Sequence, residues 1–413
     1  MHDHQAGSDR PAGYTGNSNP RRLVAGNTVF FPAATLYAIF VLPASVFAML
    51  GLTVALPALA STTGHAHEML FGFALAVVAG NQLGPMPLPR LALLAGLWVI
   101  ARATFLVAPH GMVAAAANIA FAALLAAHLA PRLFGAAKKL RNQALPLVLT
   151  AICASSIAFQ LAPHAGFASA GHAILVVAVL LFALLMLFMG GRLIAPTVAG
   201  QFYRQGDKLQ ARVQPRIEGG LLVAMAIAAA ASAFASQPPL VMLAAAASFV
   251  AGALSVVRLL RWRLWALRSR PDLLCLAAGY GWLALGLLLY GAALVAGRYQ
   301  TAALHIITVG ALGTLTLNVM VMTWTLKARQ DPARARAPLW ATLLIAAATL
   351  ARVLASLGVY DAVVLLQFAA LCWSGAFALL LMRLVRVRAL RNQDLYQSGR
   401  RVPTSESAHE CPQ

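Results

Sequence analysis

The sequence predicts an all-α, polytopic membrane protein of twelve transmembrane helices arranged as three sets of four. Three observations carry that expectation. Apolar residues make up 61% of the 413-residue chain and charged residues 10%, where soluble domains carry about 25% charged residues. Such a chain cannot cover itself with a wet surface and must meet lipid. The apolar residues also gather into runs of about 20, the length that crosses a bilayer. Finally, basic residues crowd into every second connection between those runs. A soluble, fibrous, disordered or disulfide-rich secreted chain is excluded by the same composition. The net charge of +20 would point to nucleic acid on a soluble domain; placed between apolar runs, it reports membrane topology.

Taken in order, the expected spans are 29–52, 66–84, 90–108, 111–131, 144–164, 171–196, 218–236, 239–258, 272–296, 302–326, 338–357 and 362–385. A polar tail, 1–28, precedes the membrane domain 29–385, and a second tail, 386–413, follows it. The three sets cover 29–131, 144–258 and 272–385. Arg21 and Arg22 lead into span 1, and Arg90 lies between spans 2 and 3. Basic clusters follow spans 4 (Arg132, Lys138, Lys139, Arg141), 6 (Arg204, Lys208, Arg212, Arg216), 8 (Arg261, Arg263, Arg268, Arg270), 10 (Lys327, Arg329, Arg334, Arg336) and 12 (Arg386, Arg388, Arg391). Of the 31 basic residues, only Arg102, Arg298 and Arg352 fall on the other side. The positive-inside rule then places both termini in the cytoplasm. The first 28 residues contain no apolar core of a secretion signal. Cys153, Cys275, Cys372 and Cys411 are far apart in sequence, which excludes paired-cysteine zinc sites, ferredoxin-type clusters and covalent c-type haem attachment.

Ionisable residues inside spans are costly and direct attention to function. The segment Gly64-His65-Ala66-His67-Glu68-Met69-Leu70-Phe71 opens span 2 at its outer end. It admits two readings: a polar helix cap favoured by the helix dipole, or a site. Positions i and i+2 lie about 200° apart on a helix. Either His65 therefore precedes the helix, or His65 and His67 serve different partners. Glu68, Gly72, Ala76, Gly80 and Gly84 form a ridge of mostly small residues that allows close packing and aims Glu68 into the bundle. His172 opens span 6 and His305 opens span 10. On the expected topology all four histidines share one leaflet. Neutral imidazole is a ligand for haem iron and for copper, so His65, His67, His172 and His305 are the candidate metal ligands. Arg102 and Arg352 occupy matched places in spans 3 and 11, about a turn and a half inside their outer ends. They either snorkel to headgroups or pair with buried anions, among them Glu68 and, if a haem is present, its propionates. Glu68, Arg102 and Arg352 are accordingly the candidate cofactor-binding residues. Asn318, in a stripe with Gly310 and Thr314, is expected in a hydrogen bond between helices.

His65-Ala66-His67-Glu68-Met69-Leu70-Phe71-Gly72-Phe73 resembles the signature of the NnrS family. Ala303-Leu304-His305, Thr308-Val309-Gly310-Ala311-Leu312-Gly313-Thr314 and Gly190-Gly191-Arg192-Leu193-Ile194-Ala195-Pro196 resemble further stretches of that family. The resemblance implies a twelve-span bacterial membrane protein that contains haem and copper and takes part in the response to nitric oxide. It does not specify a reaction. The chain departs from the commoner family pattern after span 10, where Lys327-Ala328-Arg329-Gln330-Asp331-Pro332 contains no histidine. The layout is also similar to the catalytic subunit of haem–copper oxidases, in architecture only: span 7 has no histidine and span 10 has one. Two other functional classes are open to the sequence: a secondary transporter whose histidines bind substrate or protons, and a membrane scaffold without cofactor. Membrane lipid, haem or metal, and nitric oxide are the expected partners.

Overall fold

A computed structural model describes residues 23–53, 56–137 and 140–399. The expected tails are thus described only for 23–28 and 386–399. Arg21, Arg22, Lys138, Lys139 and Cys411 lie outside the described residues. The chain is an all-α membrane protein built from helices α1 (Asn27–Met49), α2 (62–82), α3 (Leu88–Val107), α4 (Met112–Ala136), α5 (Leu140–Leu161), α6 (Gly171–Arg204), α7 (Pro215–Ser232), α8 (Pro238–Arg261), α9 (Pro271–Ala296), α10 (Gln300–Lys327), α11 (Ala337–Leu357) and α12 (Ala362–Gly399). A short antiparallel pair, β1 (Leu23–Ala25) and β2 (Pro85–Pro87), clips the start of α1 to the start of α3. The polar tail expected through residue 28 therefore gives way to ordered backbone at Leu23.

Among the described residues, eleven helices are long and apolar enough to cross a membrane. The expectation was twelve. The helix that falls short is α2. It carries His65, His67, Glu68, Asn81 and Gln82 within 62–82, and these polar residues dilute its apolarity. It is also not one regular helix: Thr62–His67 and Leu75–Gln82 are α-helical, and Glu68–Ala74 between them is a π-helix. α10 repeats this construction, with a π segment Ile306–Gly313 that begins immediately after His305. α6, which opens with His172, is α-helical throughout.

The helix ends follow from sequence. α3, α7, α8, α9 and α11 have proline in their first two positions, where the missing N–H costs nothing. α9 and α11 stop at Gly297 and Gly358, both left-handed (φ +65° and +67°), a conformation that glycine adopts without strain. Packing places the second helix of each set at the centre, since α2, α6 and α10 each touch the other two. α1 and α12 close the bundle by direct contact. There Trp373 Nε1 donates to the Ala38 carbonyl at 3.1 Å and Ser374 Oγ to the Ile39 carbonyl at 2.9 Å. Phe73 from the π segment of α2 packs edge-on against Phe377 of α12. The expected link from Asn318 is made: its Nδ2 donates to Thr342 Oγ1 on α11 at 3.0 Å.

Candidate functional site

The start of α2 is fixed by two local devices. Ser61 Oγ accepts from the Gly64 N–H at 3.0 Å, a side-chain N-cap. Gly64 itself lies against the Ala58 carbonyl, where a Cβ would collide. His65 and His67 both fall within the first helical turns, so they point to different partners, as the 200° spacing requires.

His67 enters a closed polar network. His67 and Glu68 are fully buried, and Arg102, Asn118 and Gln160 are 2–4% exposed. Arg102, from α3, donates from NH1 to Glu68 Oε1 at 2.5 Å. Its NH2 donates to Asn118 Oδ1 on α4. Tyr37 of α1 donates its hydroxyl to Glu68 Oε2. His67 Nδ1 lies 2.9 Å from Glu68 Oε1. An ionised carboxylate only accepts, so Nδ1 carries the proton. Nε2 is then the acceptor, and it takes the Gln160 amide N–H at 2.8 Å. The imidazole stacks on Phe105, with centroids 3.8 Å apart, and also meets Phe71 and Phe159. Every polar atom of His67 is therefore engaged within the protein. Gly72 makes the network possible: a Cβ there would press on Tyr37, Arg102 and Glu68 together. The π turn also presents the Gly72 carbonyl to Trp98, whose Nε1 donates to it at 3.0 Å. π segments of this sort concentrate at functional sites.

His65 and His305 form a second group. His65 Nδ1 lies 3.1 Å from Ser45 Oγ. The Ser45 hydroxyl gives its own proton to the Leu59 carbonyl at 2.9 Å, so it accepts from His65 Nδ1–H. His305 Nδ1 lies 2.7 Å from the Thr301 carbonyl, which can only accept. Both rings thus hold the proton on Nδ1 and leave Nε2 as the basic nitrogen. Arg352 of α11 lies within electrostatic range of both rings, and His65 lies within range of His305. Arg352 NH1 donates to Ser356 Oγ on its own helix at 2.8 Å. His65, His305 and Arg352 are half-buried.

His172 stands apart, with its side chain exposed at the start of α6. Tyr37, Trp98, Asn118 and Gln160 were not foreseen from sequence, because each is a single polar group in a long apolar run. Asn118, whose amide also donates to the Ala114 carbonyl at 2.8 Å, and Gln160 carry one sequence clue: a side-chain amide inside a span needs a partner.

A haem iron takes four nitrogens from its porphyrin and needs only one or two axial ligands from the protein. His65 and His305 fit that need, since a metal-ligating histidine characteristically donates its other N–H to a nearby oxygen. His67 does not fit without losing Gln160. A protein-ligated copper centre is not met: among the described residues no three His, Cys, Asp or Glu side chains gather as a metal-holding group.

No curated protein matches the chain. The family described as NnrS protein matches residues 23–389, a stretch that includes every residue of both groups above, and the chain belongs to that family.

Proposed function

We propose that this protein binds haem where His65 and His305 approach each other, and that it serves the bacterial response to nitric oxide from the outer half of the inner membrane. The observation that carries the reading is the shared protonation pattern of the two rings, Nδ1–H engaged with an oxygen and Nε2 free to bind a metal. Family membership supports the class of cofactor. A bound haem iron would supply a site for nitric oxide and a one-electron redox couple.

The chain's own residues have separable tasks in this reading. Ser45 and the Thr301 carbonyl orient the two imidazoles. Arg352, half-buried beside both, supplies positive charge for a propionate, which its fork can bind through two hydrogen bonds. The His67–Glu68–Arg102 network is the rigid wall that fixes the first turns of α2, and so positions His65. Copper, which the family resemblance also implied, finds no complete protein ligand set among the described residues, and nothing in this reading depends on it.

The test is the visible absorption spectrum of the purified protein, with and without nitric oxide. A haem band that shifts on adding nitric oxide to the reduced protein is expected. Colourless protein from haem-replete cells would reject the reading and leave the transporter and scaffold classes.

A further inference from the structure

The basic end of the middle set encloses a cavity of about 450 Å³ between α5, α6, α7 and α8. Three arginines reach it: Arg192 on α6, Arg212 in the connection to α7, and Arg258 on α8. Apart from these, Asn142 and Glu218, its walls are leucine, phenylalanine, valine, proline and glycine. It is therefore an apolar recess with three positive charges and one negative charge.

The arginines are not arranged as simple snorkelling side chains. Arg258 is 3% exposed. Its NH1 donates to the Leu187 carbonyl and its NH2 to Glu218 Oε1, both at 3.0 Å. Its Nε has no partner. Gly191 is what admits this guanidinium against α6, because a Cβ there would overlap NH2. Arg192 lies over the Phe188 ring at 4.5 Å. Counted over the lining, three arginines against one carboxylate make the recess net positive next to apolar walls. A net positive, apolar-walled recess, one of whose lining arginines keeps a buried Nε–H without an acceptor, suits an anionic amphiphile.

We infer that this cavity is a binding site for the phosphate group of an anionic phospholipid. The phosphodiester meets Arg192, Arg212 and Arg258, and the glycerol and upper acyl carbons lie against the leucine walls. A planar guanidinium matches phosphate geometry, and basic pockets between membrane helices on the positively charged side of a bundle suit such headgroups. The inference is independent of the haem reading, since the cavity shares no residue with the His65–His305 group.

Delipidated protein in neutral detergent should be titrated with short-chain phosphatidylglycerol, phosphatidylcholine and inorganic phosphate, with binding read by thermal shift and by native mass spectrometry. Phosphatidylglycerol is expected to bind and stabilise, and phosphatidylcholine far less. The double variant Arg192→Gln/Arg212→Gln, whose side chains are both exposed, is expected to weaken phosphatidylglycerol binding by about 30-fold. A control, Arg334→Gln/Arg336→Gln, removes the same charge from exposed positions in another loop and should bind as wild type. Equal binding of the two lipids, unchanged affinity in the first double variant, or equal losses in both double variants would overturn the inference. Arginine-dependent binding of inorganic phosphate matching that of phosphatidylglycerol would overturn the lipid assignment and leave a soluble phosphate in its place.

Discussion

Arg102 and Glu68 meet at 2.5 Å across the α2–α3 interface, with Glu68 fully buried and Arg102 4% exposed. Two opposite charges removed from solvent are tolerated here because the remaining groups are almost all answered. Glu68 takes bonds from Arg102, His67 and Tyr37, and Arg102 reaches Asn118 as well. Only Arg102 Nε lacks a partner.

Breaking this pair from one side should therefore be costly. Glu68→Gln leaves the guanidinium uncompensated, and a loss of about 3–5 kcal/mol is expected. Glu68→Met/Arg102→Met should be less destabilised than Glu68→Gln alone, because no lone charge remains. Thermal unfolding in detergent measures both. Glu68→Gln unfolding at the wild-type temperature would show that the pair is not formed.

Gln160 is predicted to hold His67 rather than any ligand. Gln160→Leu strips His67 Nε2 of its donor in a sealed aromatic pocket, at a cost of about 1–3 kcal/mol. Absorption of any bound cofactor should be unchanged. A changed cofactor spectrum in this variant would mean that His67 itself faces the metal.

The crowded glycines make a third expectation. Gly64→Ala drives a methyl into the Ala58 carbonyl, and Gly72→Ala drives one into the Tyr37–Arg102–Glu68 contact. Each should destabilise by about 1–3 kcal/mol. Gly96→Ala, with open space around it, should not. Equal melting temperatures for all three variants would contradict the packing described for the head of α2.

Topology gives a fourth. A reporter active only outside the cytoplasm should be silent when fused after Gln205, beyond the basic end of α6, and active when fused after Arg298. Activity at Gln205 would reverse the orientation and move the histidines to the cytoplasmic leaflet.

Much of this architecture could be read from the chain, for physical reasons. Lipid imposes runs of apolar residues, and the charge rule marks alternate connections. The helices therefore announce themselves, although α7, α8 and α9 begin one to three residues earlier than the apolar runs, at Pro215, Pro238 and Pro271. His67 and Glu68 stood out because ionisable groups in an apolar run are expensive. The π segments did not, since nothing in Glu68–Ala74 or Ile306–Gly313 departs from ordinary helical composition. α2 fell outside the helices apolar enough to cross because the site's His65, His67 and Glu68 add to Asn81 and Gln82 at its other end. The division of labour among the histidines was equally hidden. It depends on Ser45, Thr301 and Gln160, which come from other turns and other helices and look unremarkable in sequence.

The most direct test of the central claim compares haem absorbance per protein in wild type, His65→Ala, His305→Ala and His172→Ala, each purified as folded, monodisperse protein. The account predicts that His65→Ala and His305→Ala lose or markedly shift the haem band, and that His172→Ala matches wild type. Undiminished, unshifted haem in both His65→Ala and His305→Ala would contradict it.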